Sequence, residues 1–191
     1  LFPYTTLFRS PSILEKSEVK SCAPLFLVGN SIAKRVSQEA SLSKYNVKLL
    51  SNGGTVSKTL NVIQQTKFSK DSSLIIHTGT NNLPSQTPAE TIMHFRLLES
   101  ELQKQNIRNI AISSIVHRAN PVYDNRARLV NAAIEIICER NQWSYIDNGN
   151  IPYSLLAPDG LHLQDKGYNL LAHNMLPHIQ NFTQENRNLR I

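Results

Sequence analysis

Short apolar runs alternate along this chain with longer segments in which apolar residues recur every three or four positions. The short runs are apolar throughout, which is typical of strands buried on both faces of a sheet. They are Leu25–Val28, Val47–Leu50, Leu74–Ile76, Ile110–Ile115 and Ser144–Ile146. The periodic segments predict helices with one buried face. Their apolar positions are Ile92, Phe95, Leu98 and Leu102, then Leu129, Ala132, Ala133, Ile136 and Ile137, and finally Tyr168, Leu171, Ala172, Met175, Leu176 and Ile179.

This alternation of strands and helices predicts an α/β protein. Parallel strands joined by right-handed crossovers place helices on both faces of a sheet, so we expect a five-stranded parallel sheet in a three-layer α/β/α sandwich. The regular pattern covers residues 24–181, a length that suits one domain with a full hydrophobic core.

The two ends of the chain do not share this pattern. Residues 1–10, LFPYTTLFRS, resemble the translation of a sequencing-adapter end, so we exclude them from the fold. Residues 11–23 are rich in Ser, Lys and Glu and are interpreted as a linker. Residues 182–191 are interpreted as a polar C-terminal tail.

The net charge of +6 indicates a basic surface. The Lys and Arg residues are scattered, and we expect no stacking aromatic residues among them, so we expect at most weak binding to nucleic acid. Two cysteines, Cys22 and Cys138, are too few for a disulfide framework or a metal site, and Cys138 is expected to be buried on a helix. No apolar run reaches the roughly 18 residues of a membrane span, and we expect a cytoplasmic location.

Most of the histidines show no spacing typical of metal ligands. We interpret five of them as residues of helix surfaces or loops, namely His77, His94, His117, His173 and His178. Arg118 and His117 follow the fourth predicted strand, where they are expected either in a solvated loop or, less simply, along a substrate cleft.

Polar turns follow the first three predicted strands, at the edge of the sheet where such folds bind ligands. They are Gly29-Asn30-Ser31, Ser51-Asn52-Gly53-Gly54-Thr55 and His77-Thr78-Gly79-Thr80-Asn81-Asn82. Each has a simple alternative: Ser31 as a helix N-cap, the glycine pair as a tight turn, and the asparagines bonded to their own backbone. A fourth segment, Pro158-Asp159-Gly160-Leu161-His162, places a carboxylate and an imidazole three residues apart before the last helix. Its simplest alternative is a solvated turn in which Asp159 caps that helix.

Together the four segments resemble the four sequence blocks of the SGNH (GDSL-type) hydrolase family, in the family's order. The resemblance covers about residues 24–180 and implies a flavodoxin-like fold. Within the family, the chain is most similar to the esterase domain in the first open reading frame of some LINE-type retrotransposons. That similarity lies in IIHTGTNNL, ISSIVHR, residues 131–138, SYIDN and PDGLHLQDKGYNLLAHN, and it implies other modules upstream.

The resemblance implies an esterase that needs no metal or cofactor. Ser31 would be the nucleophile, His162 its general base, and Asp159 the residue that orients the imidazole and stabilises the imidazolium. The oxyanion would be stabilised by the backbone N–H groups of Ser31 and Gly53 and by the side-chain amide of Asn81. The substrate would be a small ester or a lipid-like molecule, with short-chain acyl groups favoured.

Two positions depart from the family pattern. Asn30 stands where the first block has Asp, and Asn82 stands where the third block often has Asp. An Asn keeps the ability to accept hydrogen bonds but lacks the charge, so the geometry of the turn beside Ser31 is in question.

Two other interpretations remain open. Gly29 to Ala33 approximates the nucleophile elbow of the α/β-hydrolase fold, although that fold has several strands before its serine. The domain could instead be a scaffold or nucleic-acid-associated module whose esterase site has decayed. The presence of Ser31, Asp159 and His162 argues against full decay.

Overall fold

The computed structural model describes residues 23–51 and 54–188. They form one parallel sheet in the order β2-β1-β3-β4-β5. The strands are β1 Leu25–Gly29, β2 Val47–Ser51, β3 Ser73–His77, β4 Asn109–Ser113 and β5 Ser144–Ile146. The helices are α1 Ser31–Val36, α2 Val56–Gln65, α3 Pro88–Lys104, α4 Pro121–Asn141 and α5 Asp165–Asn188, with short 3₁₀ turns at Ser43–Tyr45 and Tyr153–Leu155. The predicted five-stranded parallel α/β/α sandwich is confirmed.

The strands are mostly apolar because both faces of the sheet are covered. One core cluster joins α1 and α5 to the sheet and contains Ile32, Leu171 and Met175. The other joins α2, α3 and α4 to the opposite face and contains Ile63 and Phe95. Helices therefore cover both faces, as a parallel sheet with crossover connections requires.

Local sequence signals set the start of two long helices. Helix α3 begins with a full capping box, in which Thr87 and Glu90 satisfy each other's backbone N–H groups, and Pro88 is its first residue. Asn120 caps α4, and Pro121 is the first residue of that helix. These are the residue types that a helix N-terminus favours.

The buried face of α4 matches the prediction only at Ile137. Leu129 and Ile136 are 52% and 60% exposed, whereas the helix buries a neighbouring stripe. That stripe consists of Asp124, Ala127, Val130, Ile134, Ile137 and Cys138. The helix carries apolar residues on two adjacent stripes, so periodicity alone does not identify the one that packs. Cys138 is buried as expected, and burial raises its pKa to about 12.

Strand β4 ends at Ser113, two residues before the predicted end. The side chain of Asn131 in α4 accepts a hydrogen bond from the Ile115 N–H and donates one to the Ile115 carbonyl, both at 2.8 Å. This side chain takes the place of a neighbouring strand and allows the chain to turn away from the sheet.

The structure describes the two ends of the chain only in part. Residues 1–10 and the linker as far as residue 22 lie outside the described residues. Helix α5 continues past the predicted boundary at residue 181 to Asn188, and Phe182 is buried in the core beside α1. No helix within the described residues is both long and apolar enough to cross a membrane.

Candidate active site

The polar turns meet at the carboxyl end of the sheet because the strands before them are neighbours in register. Gly29, the last residue of β1, pairs with Ser51 of β2 on one side and His77 of β3 on the other. The turns that follow therefore leave the sheet side by side. Ser31 is exposed at this edge, in the first turn of α1.

Ser31, His162 and Asp159 form a continuous chain of hydrogen bonds. The Ser31 Oγ lies 3.0 Å from Nε2 of His162. On the other side of the ring, His162 Nδ1 lies 2.6 Å from Oδ2 of Asp159. Ser31 and His162 are 131 residues apart, so the fold itself brings this hydroxyl and this imidazole together. The geometry is that of a serine nucleophile with a base and an orienting carboxylate.

Asp159 does not cap the last helix, which begins only at Asp165. Its Oδ1 accepts hydrogen bonds from the N–H groups of Leu161 and His162, each at 2.9 Å. The hydrogen bond with His162, followed by those two N–H bonds, lowers the pKa of Asp159 to about 2. The carboxylate is therefore ionised at neutral pH, the state in which it can stabilise an imidazolium.

Gly160 allows this loop to turn back on itself. Its φ of +64° lies in the left-handed region, and a Cβ at this position would come within 2.6 Å of the Ala119 Cβ. The loop is closed by hydrogen bonds from the Ala157 N–H to the His162 carbonyl and from the Gly160 N–H to the Ala157 carbonyl. Asp159 and His162 are thus held by backbone bonds within their own loop.

Asn30, and not Ser31, is the N-cap of α1. Its Oδ1 accepts hydrogen bonds from the N–H groups of Ile32 and Ala33, and its carbonyl accepts one from Lys34. Among the described residues, the Ser31 N–H is the one left without an acceptor in this first turn, which leaves it available to a ligand. Asn30 is fully buried, and within the described part of the chain its Nδ2 has no hydrogen-bond partner.

Asn81 and Asn82 bond across to the turn after β2 rather than to their own backbone. Asn82 is buried, and its Oδ1 accepts a hydrogen bond from the N–H of Val56, the first residue of α2. Because Thr55 makes no side-chain cap, Asn82 caps α2 from a distance. The Nδ2 of Asn81 donates a long hydrogen bond of 3.4 Å to the Gly54 carbonyl. Gly53, the third predicted oxyanion donor, lies outside the described residues.

Two interpretations of polar residues near the site were wrong. His77 is neither on a helix surface nor in a loop; it ends β3, is buried, and has its pKa lowered to about 4 by that burial. Its Nδ1 lies 3.0 Å from the Ser113 Oγ of β4, which gives the ring a polar partner. Arg118 is not in a solvated loop but is only 7% exposed. Both positions look ordinary in sequence because the groups that bury them are distant along the chain.

A second Asp–His pair lies nearby. The Asp124 Oδ1 is 3.1 Å from Nδ1 of His117, and Tyr153 donates a 2.6 Å hydrogen bond to the Asp124 Oδ2. The rings of His117 and Tyr153 are stacked, with centroids 4.4 Å apart. The Arg118 N–H also donates to Asp124. Burial raises the pKa of Asp124, but the bonds from Tyr153, Arg118 and His117 outweigh that effect, and the pKa is below its ordinary value.

The part of the chain that the structure describes contains no cluster of three or more His, Cys, Asp or Glu residues placed to hold a metal ion.

Comparison with known proteins places the fold. The chain superimposes on a lipolytic protein of the G-D-S-L family from Veillonella parvula with a TM-score of 0.68 and 13% identity, covering 81% of this chain and 96% of that one. A GDSL-like lipase from Bacteroides thetaiotaomicron superimposes with a TM-score of 0.69 and 14% identity, covering 83% of this chain and 88% of that one. A catalytic mutant of an acetylxylan esterase from Geobacillus stearothermophilus superimposes with a TM-score of 0.67 and 13% identity, covering 83% of this chain and 94% of that one. No protein-family model and no curated protein matches the sequence.

These similarities show that the chain has the SGNH hydrolase fold. In the described sheet Ser31 follows β1, which is the first strand along the chain and the second in the order β2-β1-β3-β4-β5. The α/β-hydrolase alternative, which has several strands before its serine, does not fit.

Proposed function

We propose that this protein is a serine esterase that hydrolyses carboxylic esters, with short acyl chains favoured, through an acyl-enzyme on Ser31. The observation that carries the proposal is the chain of hydrogen bonds from the Ser31 Oγ through His162 to Asp159, at 3.0 and 2.6 Å. A serine hydroxyl becomes an effective nucleophile only when a base takes its proton during the attack. His162 is in position to do so.

The two nitrogens of the His162 ring have separate roles in the proposed reaction, because Nε2 contacts Ser31 and Nδ1 contacts Asp159. As the Ser31 Oγ attacks the ester carbonyl, its proton passes to Nε2 of His162, and the ionised Asp159 stabilises the resulting imidazolium. That proton then passes to the leaving alcohol, and the acyl group remains on Ser31. A water molecule, deprotonated by the same imidazole, then attacks the acyl-enzyme. The acid is released as the Ser31 Oγ takes that proton back from His162.

The negative charge on the carbonyl oxygen needs donors at the same edge of the sheet. The N–H of Ser31 has no acceptor among the described residues, and the Asn81 amide makes only a 3.4 Å hydrogen bond. Both groups are therefore available for an oxyanion, since strong donors of this kind contact the oxygen at about 2.7–3.1 Å. We assign the third donor to the backbone N–H of Gly53, by resemblance to the family.

Hydrolysis of p-nitrophenyl acetate tests the proposal, with p-nitrophenyl octanoate as the comparison for chain length. We expect turnover of the acetate that disappears in Ser31→Ala, and weaker turnover of the octanoate. Equal turnover by the parent and Ser31→Ala would contradict the proposal. Faster turnover of the octanoate than of the acetate would be consistent with esterase activity but would contradict the proposed preference for short acyl chains.

We also propose that the domain derives from the first open reading frame of a LINE-type retrotransposon. Support comes from the sequence stretches IIHTGTNNL and PDGLHLQDKGYNLLAHN and not from the fold, which many hydrolases share. Reading the genomic DNA on both sides of this segment tests the origin. We expect other modules in the same frame upstream. A host gene without them would contradict it.

Contact with nucleic acid is a second candidate function, favoured by the distribution of charge. Residues 23–72 contain seven basic residues (Lys and Arg) and two acidic ones (Asp and Glu). Residues 73–188 contain nine basic and ten acidic residues, so the positive charge is concentrated in the first segment. Contrary to the expectation from sequence, aromatic rings adjoin some of these lysines. The Lys48 Nζ lies 5.9 Å from the Phe26 ring centroid, and the Lys44 Nζ lies 5.1 Å from that of Tyr45.

These contacts are few, and exposed positive charge gives attraction that falls steeply with salt. We therefore expect single-stranded nucleic acid to bind no more tightly than micromolar at about 150 mM salt, where the Debye length is about 8 Å. Titration of a labelled strand measures this. Nanomolar binding that Ser31→Ala leaves unchanged would favour a nucleic-acid module over an esterase.

A further inference from the structure

Arg118 connects two of the loops that build the candidate site. It follows β4 and is only 7% exposed, although its side chain is charged. A buried guanidinium is costly unless hydrogen bonds satisfy its N–H groups, so the partners of Arg118 indicate what keeps it there. Among the described residues, the acceptors of the guanidinium are carbonyl and hydroxyl oxygens and not carboxylates.

The guanidinium donates to both sides of the site. Its Nη1 donates to the carbonyl of Thr80 at 3.1 Å and to the Thr80 Oγ1 at 3.0 Å. Thr80 directly precedes Asn81. The Nε of Arg118 donates a longer hydrogen bond, 3.4 Å, to the carbonyl of Gly160, which lies between Asp159 and His162. One side chain thus joins the loop of the oxyanion amide to the loop of the acid and the base.

The backbone of the same segment strengthens this connection. The Ala119 N–H donates to the Gly160 carbonyl at 3.0 Å, and the Arg118 N–H donates to the buried Asp124 carboxylate at 3.0 Å. The face of the Tyr123 ring lies 5.6 Å from the guanidinium carbon. The Arg118 side chain therefore contacts Thr80, Gly160 and the Tyr123 ring, and these contacts restrict its conformation.

We propose that Arg118 is a positioning residue for ester hydrolysis, an inference that rests on the proposed function. It holds the Asn81 amide at a set distance from His162, so that the oxyanion donor and the base act on the same bound ester. Displacements of about 1 Å in such a constellation can reduce turnover about 100-fold. Arg118 touches neither Ser31 nor His162, so its effect passes through the two loops.

Arg126 provides a matched control. It also extends from the segment after β4 to the Asn81 loop, where its Nη1 donates to the carbonyls of Leu83 at 2.6 Å and Gln86 at 3.1 Å. Its guanidinium also lies over Tyr123, 5.9 Å from the ring centroid. Arg126 anchors one loop only, whereas Arg118 joins two. A general loss of anchoring would affect both variants alike.

The test compares kcat, KM and melting temperature for the parent, Arg118→Ala, Arg118→Lys and Arg126→Ala with p-nitrophenyl acetate. For Arg118→Ala we expect kcat to fall about 10- to 100-fold with little change in KM. Arg118→Lys can bond to one loop but not both, so we expect only partial recovery. Arg126→Ala should lower the melting temperature and retain most of kcat.

Chemical rescue separates positioning from simple stability. Guanidinium chloride at about 50 mM is far below denaturing concentrations and can enter the space left in Arg118→Ala. We expect it to restore part of kcat in that variant and not to change Arg126→Ala, with NaCl at equal concentration as the control. A parental kcat in Arg118→Ala would overturn the proposal. So would a loss that guanidinium does not rescue and that matches the loss in Arg126→Ala.

If Arg118→Ala does not fold, Arg118→Lys decides the matter. A folded Arg118→Lys with reduced kcat supports the proposal, and one with parental kcat overturns it. Activity of the parent separates failure of the proposed esterase function from failure of the positioning role of Arg118. A parent that hydrolyses the ester while the Arg118 variants match it rejects only the positioning role. A parent without turnover rejects the proposed function and this inference together.

Discussion

The molecule contains two Asp–His pairs near the carboxyl end of its sheet, and they differ in surroundings rather than in composition. In Asp159–His162 the side chains are 50% and 37% exposed, whereas in Asp124–His117 they are 5% and 24% exposed. The first pair is joined at 2.6 Å and the second at 3.1 Å. Each is formed by Nδ1 of the ring and one carboxylate oxygen.

The groups around each pair decide what it can do. The Nε2 of His162 faces the Ser31 hydroxyl, and the Asp159 carboxylate accepts only from its own loop. The Asp124 carboxylate instead accepts from Tyr153, the Arg118 N–H and His117, which tie three segments together. An Asp–His pair is thus a catalytic candidate only where a nucleophile meets the second ring nitrogen.

The largest effect should come from changes at Asp159–His162, the exposed pair, and at the serine that it contacts. Ser31→Ala and His162→Ala should each reduce kcat for p-nitrophenyl acetate at least about 1,000-fold, because a nucleophile and its base act as a unit. His117→Ala is the matched control, and it should retain most of the activity. Circular dichroism and thermal melting verify that each variant folds. Equal losses in His117→Ala and His162→Ala would remove the distinction between the two pairs.

A smaller loss should follow the removal of one oxyanion donor. Asn81→Ala should reduce turnover on the order of 100-fold while leaving the melting temperature near that of the parent. Asn131, beside the buried pair, provides the contrast, since its amide bonds to both backbone groups of Ile115. Asn131→Ala should lower stability more than activity. If Asn81→Ala keeps parental turnover, the donor lies elsewhere.

Asp124–His117, the buried pair, should contribute more to the stability of the fold than Asp159–His162 does. Asp124→Asn should lower the stability at pH 7 by about 1–3 kcal/mol, or the melting temperature by about 3–10 °C, because a buried carboxylate loses charge-assisted bonds. The folded-state pKa of Asp124 is lowered, so its stabilisation is present above the ordinary pKa and is lost as the pH falls through the folded value. The difference between variant and parent should therefore shrink below about pH 4.

Asp159→Asn is the companion of that measurement. Its exposed carboxylate should contribute little to stability at pH 7, so the variant should melt near the parent while losing most of its turnover. The pKa of Asp159 is about 2, so any stabilisation it gives is lost only as the pH falls from its ordinary value near 4 towards 2. A larger loss of stability in Asp159→Asn than in Asp124→Asn would reverse the assignment of the two pairs.

The smallest effect concerns Asn30. Asn30→Asp keeps an oxygen for the Ile32 and Ala33 N–H groups, removes the unpaired Nδ2, and places a negative charge at the start of α1. Burial of that charge opposes the gain, so we expect turnover equal to or moderately above that of the parent. A loss of turnover above tenfold would show that the amide itself is needed beside Ser31.

Much of the fold was predictable because its signals are local. The strands are mostly apolar, and the turns before Ser31 and His162 have glycines at set spacings. Helix α2 was not predicted, and part of its N-terminal cap comes from Asn82, 26 residues further along the chain. The burial of His77 and Arg118 likewise depends on partners more than 35 residues away. Periodicity and local motifs do not include such partners.

Covalent labelling of the parent with a fluorophosphonate probe tests the central claim most directly, because the reagent reacts only with a serine that a neighbouring base activates. Mass spectrometry of the digested protein should locate the adduct on Ser31. We expect no adduct in Ser31→Ala, strongly reduced labelling in His162→Ala, and parental labelling in His117→Ala. An adduct on another residue, or labelling that persists in Ser31→Ala, would contradict the assignment of this site.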